Sequence, residues 1–190
     1  NRRSLVRSTE PVKHPVTLSE AKIFCRIDDS ATEDDALILD FIKTATDSLE
    51  RYTKRAFITQ SWTLRMDGFA CGNSNSAPQT DGVYNLPVDY ASLGSLDINI
   101  PKLPIQSITS ITTYNTSNTS AVFSSSYYQL DEQGGRIYLN IGQVWPTALR
   151  DREAVEIVYV AGYGLTPSTI PDPIRMAIKI YVNALYESRG

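Results

Sequence analysis

A nucleophile becomes reactive beside a base, and this chain offers few such pairs. Its one histidine, His14, stands before Pro15 in a basic N-terminal stretch. No serine lies in a Gly-x-Ser-x-Gly frame. The cysteines, Cys25 and Cys71, are far apart, follow no Cys-x-x-Cys spacing and have no histidine neighbour in sequence. Cys25 falls on an apolar helical segment, where a small thiol packs as a hydrophobe. Cys71 falls in a long polar loop and could be exposed. A disulfide between them is open, nothing requires it, and a reducing compartment is the default. One histidine and two isolated cysteines do not make a zinc set. No catalytic residue, metal ligand or cofactor site is expected.

Carboxylates are the other chemical candidates. Asp28-Asp29-Ser30-Ala31-Thr32-Glu33-Asp34-Asp35 is the most acidic stretch. As a calcium loop it fails: position six is Glu33 instead of glycine and position twelve is Leu39 instead of glutamate. A helix start fits better, with Thr32 as cap and three acids in the first turn, where the helix dipole favours negative charge. Asp67, Asp89, Asp97 and Asp131 lie on or near strands and loops, and nothing in the sequence selects two of them as an acid–base pair. Gly162 and Gly164 form a lone Gly-x-Gly after a strand. They lack a third glycine and a phosphate-binding lysine, so they serve a turn out of the sheet. Trp62, Trp145 and eleven tyrosines could suit a sugar-binding β surface, although aromatic residues also fill sheet cores and interfaces.

These residues are carried by an ordinary globular chain. It has 190 residues, 42% hydrophobic and 21% charged, with a net charge of −3. Folding at this size buries about 70% of the chain's surface, enough for a core without staples. The acidic balance argues against a protein whose main task is to grip nucleic acid. No apolar run reaches the ~18 residues of a membrane span, and the N-terminus shows no signal-peptide pattern.

The elements follow from periodicity. Residues 1–16 read as an extended basic arm, with Arg2, Arg3, Arg7 and Lys13, and prolines that forbid a continuous helix. Thr17-Leu18-Ser19-Glu20 is a capping box opening a short helix that ends near Arg26. A second helix runs to about Thr53, with Ile38, Phe41, Ile42, Ala45, Leu49 and Tyr52 on one stripe. The period then becomes two: Trp62, Leu64 and Met66 alternate with polar neighbours over residues 60–66. Residues 68–82 read as a long loop. Strands are expected at 96–100, 105–114, 127–130, 136–139 and 154–160, with a polar hairpin connection at 115–126. A final helix begins at Pro171 and Pro173 and places Ile174, Ala177, Ile178, Tyr181, Val182 and Leu185 on one stripe. The fold class is α+β: N- and C-terminal helices (17–58 and 168–190) packed as a small discontinuous helical domain, with an antiparallel β domain (59–167) inserted between them.

In their order, these pieces carry a resemblance. Pro15-Val16-Thr17-Leu18-Ser19-Glu20-Ala21-Lys22 is followed by Arg26-Ile27-Asp28 and the acidic cap. Tyr52-Thr53-Lys54-Arg55-Ala56-Phe57-Ile58-Thr59-Gln60-Ser61-Trp62 comes next, then Leu103-Pro104-Ile105-Gln106-Ser107-Ile108-Thr109-Ser110-Ile111. Val158-Tyr159-Val160-Ala161-Gly162-Tyr163-Gly164, a Pro-Asp-Pro-Ile-Arg helix start and Tyr186-Glu187-Ser188-Arg189 close the set. The combination, over about residues 15–190, resembles the head–tail connector (adaptor) proteins of tailed bacteriophages and gene transfer agents. Residues 68–82 and 115–126 lie outside it.

The resemblance implies a structural protein of the virion neck, made in the host bacterial cytoplasm. It implies a ring, commonly of twelve copies, that docks below the portal protein and meets a stopper or tail-terminator protein. DNA would pass through the ring without sequence-specific binding, and no cofactor, membrane or catalysis is implied. Twelve copies at −3 carry a formal −36, which favours sliding of DNA over sticking. Tyr and Arg are common interface anchors, so Tyr181, Tyr186 and Arg189 on the final helix and Arg2, Arg3 and Arg7 in the arm are the candidate portal or neighbour contacts. Two other readings stand beside it: a monomeric carbohydrate-binding β module, and a head-completion stopper ring, which should be mostly a small β barrel. An enzyme would need a pocket with perturbed carboxylates.

Overall fold

A computed structural model describes residues 3–69 and 97–189. The chain forms two compact units. Of the described residues, one comprises 9–61, 101–104 and 161–189; the other comprises 3–8, 62–69, 97–100 and 105–160.

The first unit is helical. Helix α1 (Leu18–Phe24) opens with the expected capping box: Glu20 N–H donates to Thr17 Oγ1, and Thr17 N–H donates back to Glu20 Oε2. It ends at Cys25, and Arg26 takes a left-handed φ of 60°. Helix α2 (Asp35–Thr53) starts two residues later than a Thr32 cap would place it: its N-cap is Asp34, whose side chain makes no cap bond. The reason lies in Lys22. This side chain is only 2% exposed, and its ammonium donates to the carbonyls of Asp29 (3.1 Å) and Ala31 (2.8 Å) while pairing with Asp35. A buried cation thus folds the acidic stretch around itself before the helix begins. Helix α3 (Asp172–Glu187) starts at Pro171 and Pro173, as expected.

The three helices share one core. It contains Val16, Ala21, Ile38, Ile42, Ala45, Phe57, Ile58, Ile170, Ile178 and Val182, so both ends of the chain contribute. Two stripe residues depart from expectation. Tyr52 is 86% exposed at the last turn of α2, and Tyr181 is 36% exposed on the flank of α3. Both fit the helical period at the edge of the stripe, where period alone does not say whether a partner covers them. Past α2, Lys54 closes the helix in the left-handed region. Glu50, buried, then takes Phe57 N–H (2.7 Å) and Gln60 Nε2 (2.8 Å) on Oε1.

The Gly-x-Gly segment serves this unit. Gly162 N–H donates to Pro104 O, Tyr163 N–H to Phe57 O, and Thr59 N–H to Gly164 O. Gly162 has φ +138°, and a Cβ there would lie 2.6 Å from Thr59 N. Glycine is required for close backbone approach, not for a nucleotide.

The second unit is built on sheets. A five-stranded sheet has the order β1-β2-β8-β4-β5, with β1 (Arg3–Thr9), β2 (Gln60–Met66), β8 (Val155–Ala161), β4 (Ile105–Tyr114) and β5 (Ser120–Val122). A three-stranded sheet has the order β3-β7-β6, with β3 (Ile98–Asn99), β7 (Arg136–Leu139) and β6 (Tyr128–Asp131). The β4–β5, β3–β7 and β6–β7 pairs are antiparallel. Alternation sets the buried face: Trp62, Leu64 and Met66 on β2, and Val155, Ile157 and Tyr159 on β8. Burial pushes the Tyr159 hydroxyl's pKa upward. Residues 3–9, read from sequence within the arm, form the edge strand β1. The α+β fold class is therefore present, with helices flanking a β region in chain order.

Candidate functional site

The chemical candidates disperse. His14 is exposed. Cys25 is a free, half-buried thiol packed against the helical core, and burial together with nearby Glu187 raises its pKa. Asp67 Oδ1 accepts Glu153 N–H; Asp97 and Asp131 both pair with Arg136. The Gly134 N–H, with Arg136 beside it, lowers the pKa of Asp131. Cys71 and Asp89, and the 68–82 loop beyond Phe69, lie outside the described residues. Among the described residues, no group of His, Cys, Asp and Glu is arranged to hold a metal. Trp62 and Trp145 are buried. Trp145 stacks on Phe69 at 4.3 Å between ring centres and packs beside Phe123, so these indoles form core, not a flat sugar platform.

One open cavity of about 500 Å³ lies in the sheet unit, lined by Ser4, Arg65, Asp67, Arg150, Arg152 and Glu153. Two of its arginines have partners in the same unit. Arg65 Nε meets Glu156 Oε2 at 2.8 Å, and Arg150 donates to Glu153 O at 2.7 Å while lying over the Tyr114 ring.

The candidate contact residues fall on two surfaces, one in each unit. In the sheet unit, Arg3 Nη1 donates to Asn99 O (3.2 Å), and the Arg7 guanidinium stands 5.2 Å from the centre of the Trp62 ring. Arg2 lies outside the described residues. In the helical unit, Tyr186 and Arg189 converge on Asp34. The tyrosine hydroxyl donates to Asp34 Oδ2 at 2.7 Å, Arg189 Nη1 donates to the same oxygen at 2.8 Å, and the guanidinium lies 3.7 Å from the tyrosine ring centre. The Arg189 and Tyr186 hydrogen bonds hold the Asp34 carboxyl below the usual carboxylate range, and Asp34 in turn raises the tyrosine's pKa. Two of the expected outward contacts are thus engaged within the chain, fastening the end of α3 to the start of α2. Arg175 makes a similar tie to Glu20.

Tyr181 does not join that cluster. It lies on an outer surface of α3 that sequence reasoning passed over, with Met176, Ile180 and Ala184 all exposed at four-residue steps. Ile180 is 55% exposed. Helix α3 therefore carries an apolar core stripe and a short apolar outer row, the latter beside the polar row of Arg175, Lys179, Asn183 and Glu187, so the outer row is a second apolar surface open to a partner. The signal was present in the sequence as Met176, Ile180 and Ala184 at period four.

No curated protein sequence matches the chain. A family model does: residues 15–134 match the phage gp6-like head-tail connector proteins. The chain belongs to this family of structural virion components. Its fold is also that of chains in solved gene transfer agent (GTA) particles. A chain from the virion of a native GTA particle superposes with a TM-score of 0.73 at 16% identity, over 98% of this chain and 85% of that one. A chain from the neck of an empty GTA particle, computed with C6 symmetry, gives 0.73 at 17% identity over the same shares. One from the neck of a native GTA particle, computed with C12 symmetry, gives 0.62 at 17% identity, over 96% and 84%. The role is that of a structural head–tail connector. Among the described residues, no helix is long and apolar enough to cross a membrane.

Proposed function

We propose that this chain is a subunit of a ring of twelve copies in the neck of a tailed phage or phage-like particle. The ring lies below the portal, meets the next neck or tail protein on its other side, and leaves a channel through which DNA passes. The single observation that carries this reading is family membership over residues 15–134 together with a fold shared along almost the whole chain with GTA neck proteins. The C12 symmetry reported for one of those necks supports the copy number. The role is structural, without catalysis or a cofactor.

The physical features agree with such a part. Rings close through heterologous surfaces related by rotation. The outer row of α3, with Tyr181 beside it, is an apolar surface suited to a neighbouring subunit or the portal. Arg3 and Arg7 on β1 offer a second, basic contact. Tyr186 and Arg189 shape the end of α3 through Asp34 and present it to a partner. A net charge of −3 per chain keeps the lumen from holding phosphate tightly.

Quantitative mass spectrometry of purified particles tests the reading. The expected ratio of this polypeptide to portal protein is near one to one, retained after washing. Absence from particles would overturn it.

A further inference from the structure

Strand β1 is weakly committed to its own unit. None of its seven side chains is buried; Leu5 and Arg7 are half-buried and the others are exposed. It sits on the edge of β2, and its contacts there include a hydrogen bond between the Ser8 and Thr63 hydroxyls, Arg7 over the Trp62 ring, and Arg3 reaching Asn99 O. The seat is a strand edge, a hydroxyl and an aromatic face, and Leu64 and Met66 stay buried on the sheet's inner face. Every copy of the chain therefore carries both the strand and the seat. The connection that follows is built for reach. Residues 12–14 are exposed, Val12 at 96%; the segment bends at residues 12–13 and 15–16, and Pro11 and Pro15 keep it out of a helix. Straightened, the six residues from Glu10 to Pro15 would reach roughly 19 Å at about 3.1 Å per extended residue.

We infer that β1 is exchanged between neighbours: in the assembled ring, the first strand of one copy adds to the β2 edge of the next. This rests on the ring reading above. The exchange is heterologous, strand to following edge, so it propagates around a rotational ring without leaving either partner over. It replaces each contact in kind, because the seat is identical in every copy, and it costs no buried side chain. Neighbours held in a ring present the seat at high effective concentration, which favours exchange there over exchange in dilute solution. The sequence Arg-Ser-Leu-Val-Arg-Ser-Thr suits the task, with enough alternation to pair as a strand and too few apolar side chains to lock it to one body.

Cysteine pairs decide the matter. In a Cys25→Ser, Cys71→Ser background, Ser8→Cys is placed on one chain and Thr63→Cys on a second chain of different tag mass. The two are co-expressed so that particles assemble from both, the particles are mildly oxidised, and the products are separated without reductant. The hydroxyl contact puts these two side chains within disulfide reach. The expected result is a covalent dimer of the two differently tagged chains. Rings present in the particles, no such dimer, and internal closure to a monomer when both cysteines sit on one chain would overturn the exchange and leave the ring reading standing. Particles without the ring would overturn both. Removal of residues 1–9 gives a second readout. The shortened chain should keep its far-UV spectrum, while the concentration at which the ring half-dissociates rises about tenfold or more. An unchanged midpoint would count against the exchange.

Discussion

Replacing Lys22 with methionine isolates the buried cation at the α1–α2 junction. Met keeps the length of the stem and removes the charge and three donors. The lost partners differ in cost. Asp29 and Ala31 are exposed, so water can take over their carbonyls. Asp35 Oδ1 is a buried atom whose partner is the lysine, and in K22M it would be left charged inside the protein. Removing one member of a buried pair costs about 3–5 kcal/mol, and the partial exposure of Asp35 puts this case near the lower end, about 3 kcal/mol. At a urea slope of about 2 kcal/mol/M the midpoint should fall by about 1.5 M. The measurement is urea unfolding followed at 222 nm, which reports on α1, α2 and α3, all in one unit. Asp35→Ala alone should also be costly, because it strands the ammonium. The double variant removes both charges and should lie within about 1.5 kcal/mol of the parent, giving a coupling of about 2 kcal/mol or more. A coupling below about 0.5 kcal/mol would refute the claim that the pair, and not the lysine's stem, organises the junction.

Two further outcomes follow from the helical unit. Asp34, Glu20 and Asp28 are all held below their ordinary pKa by their hydrogen bonds: Arg189 and Tyr186 for Asp34, the Thr17 N–H and Arg175 against opposing burial for Glu20, and Ser30 for Asp28. A carboxyl lowered on folding adds stability above its unfolded value, about 4, and loses it as pH falls through the folded value. Melting temperature should therefore drop as pH goes from 5 toward about 2, and Asp34→Asn should flatten that slope while leaving the Glu20 and Asp28 contributions; an unaltered slope would show that the Asp34 cluster is not formed in solution. Gly162→Ala should cost about 2–4 kcal/mol by thermal or urea unfolding, since it adds a Cβ against Thr59 N and Ile58 O at a φ that favours glycine.

The legible parts of the fold are those written in local code. The capping box at Thr17 and Glu20, the Pro171–Pro173 helix start and the alternation of Trp62, Leu64 and Met66 each depend on neighbours a few residues away, and each forms where the spacing puts it. The start of α2 was misplaced because its determinant is tertiary: Lys22, on another helix, gathers the carbonyls of residues 29 and 31, and no propensity at Thr32 competes with that. Tyr52 and Tyr181 were assigned to core stripes because period reports direction around a helix and not whether anything covers the far end or the flank. The candidate contacts were half legible. Tyr and Arg at the end of α3 stood out by type, but their capture by Asp34 requires folding the two ends of the chain together. The outer row of Met176, Ile180 and Ala184 stands in the same sequence at period four, but it is shorter than the inner stripe and period alone does not mark it as a contact surface.

The split helical core has a consequence for how the protein is made. Ile42 and Val182 meet in one cluster, yet the ribosome delivers them far apart in time, by roughly 10–30 s at ordinary elongation rates. During that interval the apolar stripe of α2 has no α3 to cover it and needs shelter from other nascent chains. A polypeptide interrupted before residue 170 cannot complete the core of its first helices. Only chains translated past α3 then own the finished helical body, so late closure acts as a sieve that withholds broken subunits from an assembly in which one faulty member would spoil the whole.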